Sequence, residues 1–130
     1  MTKNSIPVSK YMTNVPHTLS KNHTIEEAKK TMKDLDIRHI PILEGGRILG
    51  ILSAKDIDFI ANYHGFDIKK ERVEQAMTFD PYVVSPSTNL DEVCRVMRRD
   101  KISSVLVEEN KKIRGIFTWI DALRALEEIF

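Results

Sequence analysis

Two hydrophobic rhythms alternate along the chain, and the alternation happens twice. In "HTIEEAKKTMKDL" the apolar residues Ile25, Ala28, Met32 and Leu35 recur at three- and four-residue intervals, which is one face of an α-helix. Thr24 ahead of them, with Glu27 three residues on, is a capping-box start. "LDEVCRVMRRD" repeats the rhythm with Leu90, Val93, Cys94 and Met97 behind Asn89 and Glu92, and predicts a matching helix. After each helix comes a short β-branched run, "IPIL" or "VLV", then a turn rich in glycine, asparagine and charge, "EGGR" or "EENKK", then "ILGIL" or "IRGIF". Runs joined in this way predict a hairpin. A second helix opens at Ser53 or Thr118 and carries "AKDIDFIANY" or "WIDALRALEEIF", while "TLS" and "VVS" read as a short extra strand ahead of the first helix. The predicted unit is β-α-β-β-α, an α+β arrangement.

Residues 12 to 56 lie over 77 to 121 without a gap and share twelve identities in forty-five positions, so the alternation is a duplication of one supersecondary unit. Met12, Thr13, Pro16, Ser20, Glu27, Met32, Ile37, Glu44, Ile48, Gly50, Ile51 and Asp56 each recur 65 positions later, as does Val8. The units are expected at 8–64 and 73–130, joined by a polar linker at 65–72 too short to let them drift apart. A unit of this size is marginal alone by buried area, which predicts two copies packed pseudo-symmetrically as one module.

The last duplicated stretch reads "GILSAKD" from Gly50 and "GIFTWID" from Gly115. By spacing alone, Ser53 with Asp56 and Thr118 with Asp121 are helix starts, a hydroxyl at the N-cap and an acid at the third helical position. Glycine, lacking Cβ, lets a ligand or a neighbouring strand come close.

The order of these motifs resembles the CBS domain, named for cystathionine β-synthase, and the duplication resembles a stand-alone tandem pair with no catalytic domain attached. The carriers are "YMTNVPHTLSKNHTIEEA" and "AMTFDPYVVSPSTNLDEV", "IRHIPIL" in the first copy, and the two glycine-to-aspartate stretches. The resemblance implies a non-enzymatic regulatory or sensor module that binds an adenosine-containing ligand between the copies and signals to a partner. AMP, ADP or ATP is the expected regulatory ligand, with S-adenosylmethionine or NAD as alternatives, and no catalytic cofactor or metal is implied.

Residue by residue, the resemblance assigns ribose to Asp56 and Asp121, and phosphate to the hydroxyls of Ser53 and Thr118, with Lys55 and Trp119 beside them. Adenine would be read at its edge by the backbone of Thr18, Leu19 and Ser20 in one copy and of Val83, Val84 and Ser85 in the other. Arg38 and His39, just before the strand that carries Ile40 and Pro41, fall where phosphate ligands are often placed. The second copy departs there, with Ser103, Ser104, Val105 and Leu106, and Trp119 is bulkier than its counterpart Ala54. Both copies are therefore expected to recognise ribose and only the first to add a phosphate contact. Free N–H groups at the start of each second helix would favour the anion further.

Composition narrows the alternatives. A content of 42% hydrophobic and 30% charged residues, with no apolar run near the ~18 that span a bilayer, predicts a soluble protein. The opening "MTKNSIPVSKYMTN" lacks a secretory apolar stretch and the lone Cys94 cannot form an internal disulfide, so a cytoplasmic location is expected. A net charge of +1 gives no long-range pull toward nucleic acid or membrane. The basic run Arg95, Arg98, Arg99 and Lys101 is interleaved with Asp91, Glu92 and Asp100 and reads as a solvated helix face. His17, His23, His39 and His64 show no metal-ligand spacing, Cys94 reads as a small core residue, and Tyr63, Phe66, Trp119 and Phe130 read as packing residues. The apolar surplus of the last helix, Ile120, Ala122, Leu123, Ala125, Leu126, Ile129 and Phe130, predicts a homodimer, which the resemblance casts as a disc. Besides a sensor acting on an unknown regulated protein, the residues leave open a structural protein–protein interaction module with no nucleotide; an enzyme would need a nucleophile, base and orienter that the chain does not supply.

Overall fold

The computed structural model describes residues 5–14 and 17–130, so Val15 and Pro16 of the first repeated motif lie outside the described residues. Along the chain the elements are β1 (Thr13–Asn14), β2 (Leu19–Ser20), α1 (Ile25–Leu35), β3 (His39–Glu44), β4 (Arg47–Ser53), α2 (Ala54–Ala61), β5 (Thr78–Phe79), β6 (Val83–Val84), α3 (Leu90–Asp100), β7 (Ser104–Glu109), β8 (Lys112–Thr118) and α4 (Trp119–Ile129). The predicted β-α-β-β-α order is present in both copies. Each copy also has an unpredicted leader, a 3₁₀ turn (Val8–Lys10 or Val73–Gln75) followed by β1 or β5.

The leaders are exchanged. The chain forms two bodies, one of residues 17–81 and one that joins the described residues before 17 to residues 82–130. In the first body the strand order is β2-β3-β4-β5, so the leader of the second repeat supplies the edge strand. The order β1-β8-β7-β6 in the second body uses the leader of the first repeat in the same way. Within each sheet the hairpin is antiparallel, the strand before the first helix pairs parallel with the hairpin, and the exchanged edge strand pairs antiparallel with the hairpin's far side.

Local chemistry accounts for the elements. Thr24 N–H donates to Glu27 Oε1 at 2.9 Å and Glu27 N–H to Thr24 Oγ1 at 3.1 Å, the predicted box at the start of α1. The start of α3 differs from expectation: the Asn89 side chain makes no cap, because the Asp91 carboxylate takes the Glu92 N–H at 2.8 Å. Both helices stop at a left-handed residue, Asp36 (φ 53°) and Lys101 (φ 57°), after which Ile37 and Ile102 N–H reach back 3.0 Å to the carbonyls of Met32 and Met97. The hairpins turn on two positive-φ residues, Gly45 and Gly46 in one and Asn110 and Lys111 in the other, the geometry that matches strand twist.

Each body buries its own core. Ile25, Ala28 and Met32 of α1 pack with Ile40, Ile42, Leu52, Ile57, Val73 and Met77. In the other body Leu90, Val93 and Met97 of α3 pack with Val105, Val107, Phe117, Ala125, Val8 and Tyr11. Val8 and Val73, fully buried, tie the exchanged leaders into these cores. Cys94 is partly buried against the second core and burial pushes its thiol pKa up, which suits a packing residue.

Four expected packing residues lie outward instead. Leu35, Tyr63, Trp119 and Phe130 are exposed, and of the aromatic set only Phe66 packs against a core. For Tyr63, Trp119 and Phe130 the reason is how little α2 and α4 turn inward: α2 buries Ile57, and α4 buries Asp121 and Ala125, one turn apart; Leu35 is the last residue of α1.

The glycines of the duplicated stretch are there for the edge strand. A Cβ on Gly50 would stand 2.4 Å from the Thr78 carbonyl oxygen of β5, and one on Gly115 would stand 2.8 Å from the Thr13 carbonyl oxygen of β1 and 2.8 Å from Met12 Sδ. Gly50→Ala is therefore expected to destabilise by about 1–3 kcal/mol, more than Gly115→Ala, whose clash is milder and partly with a flexible side chain. Met32→Ala and Met97→Ala should each cost about 2–5 kcal/mol if the two inward helical faces are equivalent. Denaturant midpoints of the four variants check both statements, and unchanged midpoints would refute them.

Candidate functional site

In the first body β4 runs into α2 with no intervening turn, and the junction gathers the predicted residues of the first copy. Ser53 is the N-cap, and its Oγ accepts Asp56 N–H at 3.0 Å while Ser53 N–H donates to Asp56 Oδ2 at 3.0 Å. The Ser53 hydroxyl proton remains to be donated, and no other described residue donates to Asp56 Oδ1. Ala54 N–H donates to the Arg38 carbonyl at 2.8 Å, which pins Arg38 beside the helix start with its side chain exposed. His39 lies opposite Ser53 in the β3–β4 ladder. A hydroxyl and a carboxylate thus meet at one helix N-terminus, with the backbone of Arg38 and His39 beside them, and the helix dipole there adds attraction for an anion.

The expected row of free N–H groups is shorter than the sequence implies. Ala54 N–H is spent on Arg38 and Asp56 N–H on Ser53, so among the described residues Lys55 N–H is the first-turn amide left open. The Lys55 side chain is exposed. Leu19 and Ser20 of β2 lie beside Ile42 and Leu43, further along β3, and Thr18 is half-buried just before them. Ser20 N–H already donates to His23 Nδ1 at 3.1 Å, so that amide is engaged within the body. Ile40 and Pro41 are buried, Ile40 within the core, so neither side chain is presented at the surface.

The second body repeats the junction with different company. Thr118 N–H donates to Asp121 Oδ2 at 2.9 Å and Thr118 Oγ1 lies 3.4 Å from the same oxygen, while Trp119 N–H donates to the Ser103 carbonyl at 3.2 Å. Thr13 Oγ1 donates to Asp121 Oδ1 at 3.0 Å, and an Arg124 Nη approaches that oxygen at 3.3 Å. Arg124 also donates to the Tyr11 carbonyl at 2.6 Å and lies over the Tyr11 ring. A hydrogen bond to Glu128 raises the pKa of the Tyr11 phenol. Trp119 is exposed, Ser104 half-buried and Val105 fully buried in the core. Val83 and Val84 of β6 lie beside Leu106 and Val107, and Ser85 Oγ is within 3.1 Å of Thr88 Oγ1.

Thr13, Tyr11 and Arg124 were not among the expected site residues. Arg124 carried a legible signal, since it lies three residues after Asp121 and so on the same helical face. Thr13 and Tyr11 did not, because they reach the site through the exchanged leader. In the first copy the counterparts of Arg124 and Glu128 are Phe59 and Tyr63, exposed and in edge-to-face contact with centroids 5.3 Å apart.

Comparison with known proteins places both repeats. The family profile of the CBS domain matches residues 8–60 and 73–128. An uncharacterised protein of Methanocaldococcus jannaschii, MJ0188, is 34% identical over 124 residues; the match covers 93% of this chain, which spans 44% of the relative's length. Among solved structures, a Vibrio cholerae protein assigned the name AcuB is 31% identical with a TM-score of 0.83, covering 97% of this chain and 93% of that one. The CBS domain pair of protein MJ0100, solved in complex with 5′-methylthioadenosine and S-adenosyl-L-methionine, is 26% identical with a TM-score of 0.86, covering 98% of this chain and all of that one. With two matched segments, a duplicated junction and the fold of a solved CBS pair, the chain belongs to the CBS domain family and carries two such domains in tandem.

Proposed function

We propose that the chain is a regulatory module that binds an adenosine-containing small molecule through the β4–α2 junction of the first body and passes its occupancy to a partner. The observation that carries this reading is Asp56: its Oδ2 accepts one backbone N–H, its Oδ1 has no other described donor, and the Ser53 hydroxyl and Arg38 sit beside it. A ribose diol has two donors for such a carboxylate, and charge-assisted bonds of this kind are the strong ones. A phosphate would take the Ser53 proton, Lys55 N–H and the Arg38 guanidinium; a sulfonium ligand would need only the ribose contact. The methylthioadenosine and S-adenosylmethionine bound to the MJ0100 pair support the adenosine class. AMP, ADP and ATP remain our preferred ligands because the exposed Arg38 adds a cation that a nucleoside alone would not use.

A regulatory role is supported by the described junction, which offers binding groups and, among the described residues, no nucleophile held by a base. For the partner we propose first a second copy of the chain. Ile120, Leu123, Leu126 and Ile129 of α4 and Phe130 at its C-cap are exposed, Phe130 at 95%, which leaves an apolar surface that water disfavours. A location in the cytoplasm accords with the lone thiol of Cys94 and with the absence, among the described residues, of a helix long and apolar enough to cross a membrane.

A thermal-shift screen with AMP, ADP, ATP, NAD, S-adenosylmethionine and methylthioadenosine tests the reading directly. A true ligand at 100 times its dissociation constant should add about 2.7 kcal/mol of stability. No shift with any of the six would instead favour an interaction module without a ligand. Asp56→Ala is expected to lower affinity by roughly ten- to hundredfold, the value of one or two charge-assisted contacts. Arg38→Ala should weaken AMP far more than adenosine; equal losses measured by calorimetry would remove Arg38 from the phosphate role. Light scattering at micromolar concentration should return twice the chain mass, and a monomer with and without ligand would exclude the homodimer.

A further inference from the structure

The two repeats keep the same aspartate and surround it differently. Asp121 is 6% exposed, whereas Asp56 is half-buried. A carboxylate offers about four lone-pair positions, two per oxygen. On Asp121 all are engaged: Thr13 Oγ1 (3.0 Å) and Arg124 (3.3 Å) on Oδ1, Thr118 N–H (2.9 Å) and Thr118 Oγ1 (3.4 Å) on Oδ2. On Asp56 one side-chain acceptor position is engaged among the described residues, by Ser53 N–H at 3.0 Å. The hydroxyls diverge in the same sense, since the Ser53 oxygen accepts from Asp56 N–H and keeps its proton, whereas the Thr118 hydroxyl turns to its own aspartate.

Two substitutions between the repeats produce the difference. Position 124 is arginine where the first copy has Phe59, which has nothing to donate. Arg124 is itself held from a second side by the Tyr11 carbonyl and stacked over the Tyr11 ring, where the leader that closes the first body, from the second repeat, has Ala76. Thr13 and Thr78 are the same residue in the two leaders, yet only Thr13 hydrogen-bonds the aspartate of its body.

We infer that Thr13 and Arg124 hold the second motif shut, so that the chain takes one adenosine-containing ligand, at Asp56, and not two. This rests on the ligand reading above. A ribose arriving at Asp121 would have to displace a charged donor and a hydroxyl from Oδ1, and each charge-assisted contact given up lowers affinity by roughly ten- to hundredfold. Arg124 is thus the residue that sets stoichiometry: the sequence writes the motif twice and the structure leaves it open once.

Equilibrium dialysis of adenosine and AMP against the full chain tests this. The wild type is expected to saturate at one ligand per chain. Thr13→Val/Arg124→Phe, which gives the second copy the donor-poor surroundings of the first, should saturate at two, with the original site's affinity unchanged within about twofold. Adding Asp56→Ala to that variant should return it to one ligand, held by the newly opened motif. Should the pair of substitutions disturb folding, as judged by circular dichroism, Arg124→Gln keeps the side-chain length and removes the charge, and should raise second-site affinity by about tenfold. Two ligands on the wild type, or a folded Thr13→Val/Arg124→Phe or Arg124→Gln chain with no gain at a second site, would overturn the inference and leave the ligand reading standing. Failure of every variant and of the wild type to bind adenosine or AMP would overturn both.

Discussion

A carboxylate that starts a helix has only its unspent lone pairs to offer to anything else. Both second helices here begin directly where a strand ends, and in each the aspartate closes the junction by accepting the N-cap amide. That bond makes the abrupt strand-to-helix change of direction tolerable, because it satisfies an amide that would otherwise be orphaned. It also fixes the carboxylate's position before any ligand arrives, which is preorganisation in the thermodynamic sense. What remains on the other oxygen then decides whether the junction is a site or only a joint.

The same constraint explains why two similar stretches can have different fates. Helix capping keeps the hydroxyl and the aspartate in both repeats irrespective of ligand, so their presence does not certify binding. The discriminating groups sit one turn further along the helix and on the leader that closes the sheet. Arg124 is half in water, and alone such a pair with an aspartate would be worth little. Its grip on Asp121 matters because the carboxylate is buried and the arginine is anchored at the Tyr11 carbonyl as well.

Much of this was legible in the residues. The rhythm of Ile25, Ala28 and Met32, and of Leu90, Val93 and Met97, fixed two helices and their inward faces, since a periodic apolar stripe has one way to be buried. The hairpins were readable from Gly45–Gly46 and from Asn110, residues that tolerate positive φ. The strands β1 and β5 were not, because two residues carry no periodicity and their partners are distant, Thr13 lying against Ile116. Gly50 and Gly115 signalled a close approach without saying of what, and the edge strand is what comes close. The outward turn of Trp119 and Tyr63 escaped for a related reason, since an aromatic residue at the end of a helix can serve either face until its neighbours are known.

The exchanged leaders carry an implication for how such a chain arose. A single repeat, cut free as a contiguous piece, would hold the edge strand that completes the other body and would lack the one that completes its own. Two such pieces would have to meet and trade segments before either sheet was whole, as in a domain-swapped dimer. Fusing two copies in tandem converts that encounter into an event within one molecule, at the effective concentration that a short linker imposes. Once both edges are guaranteed by covalent connection, the copies no longer need identical surroundings, and one aspartate can remain open while the other is closed by its own neighbours.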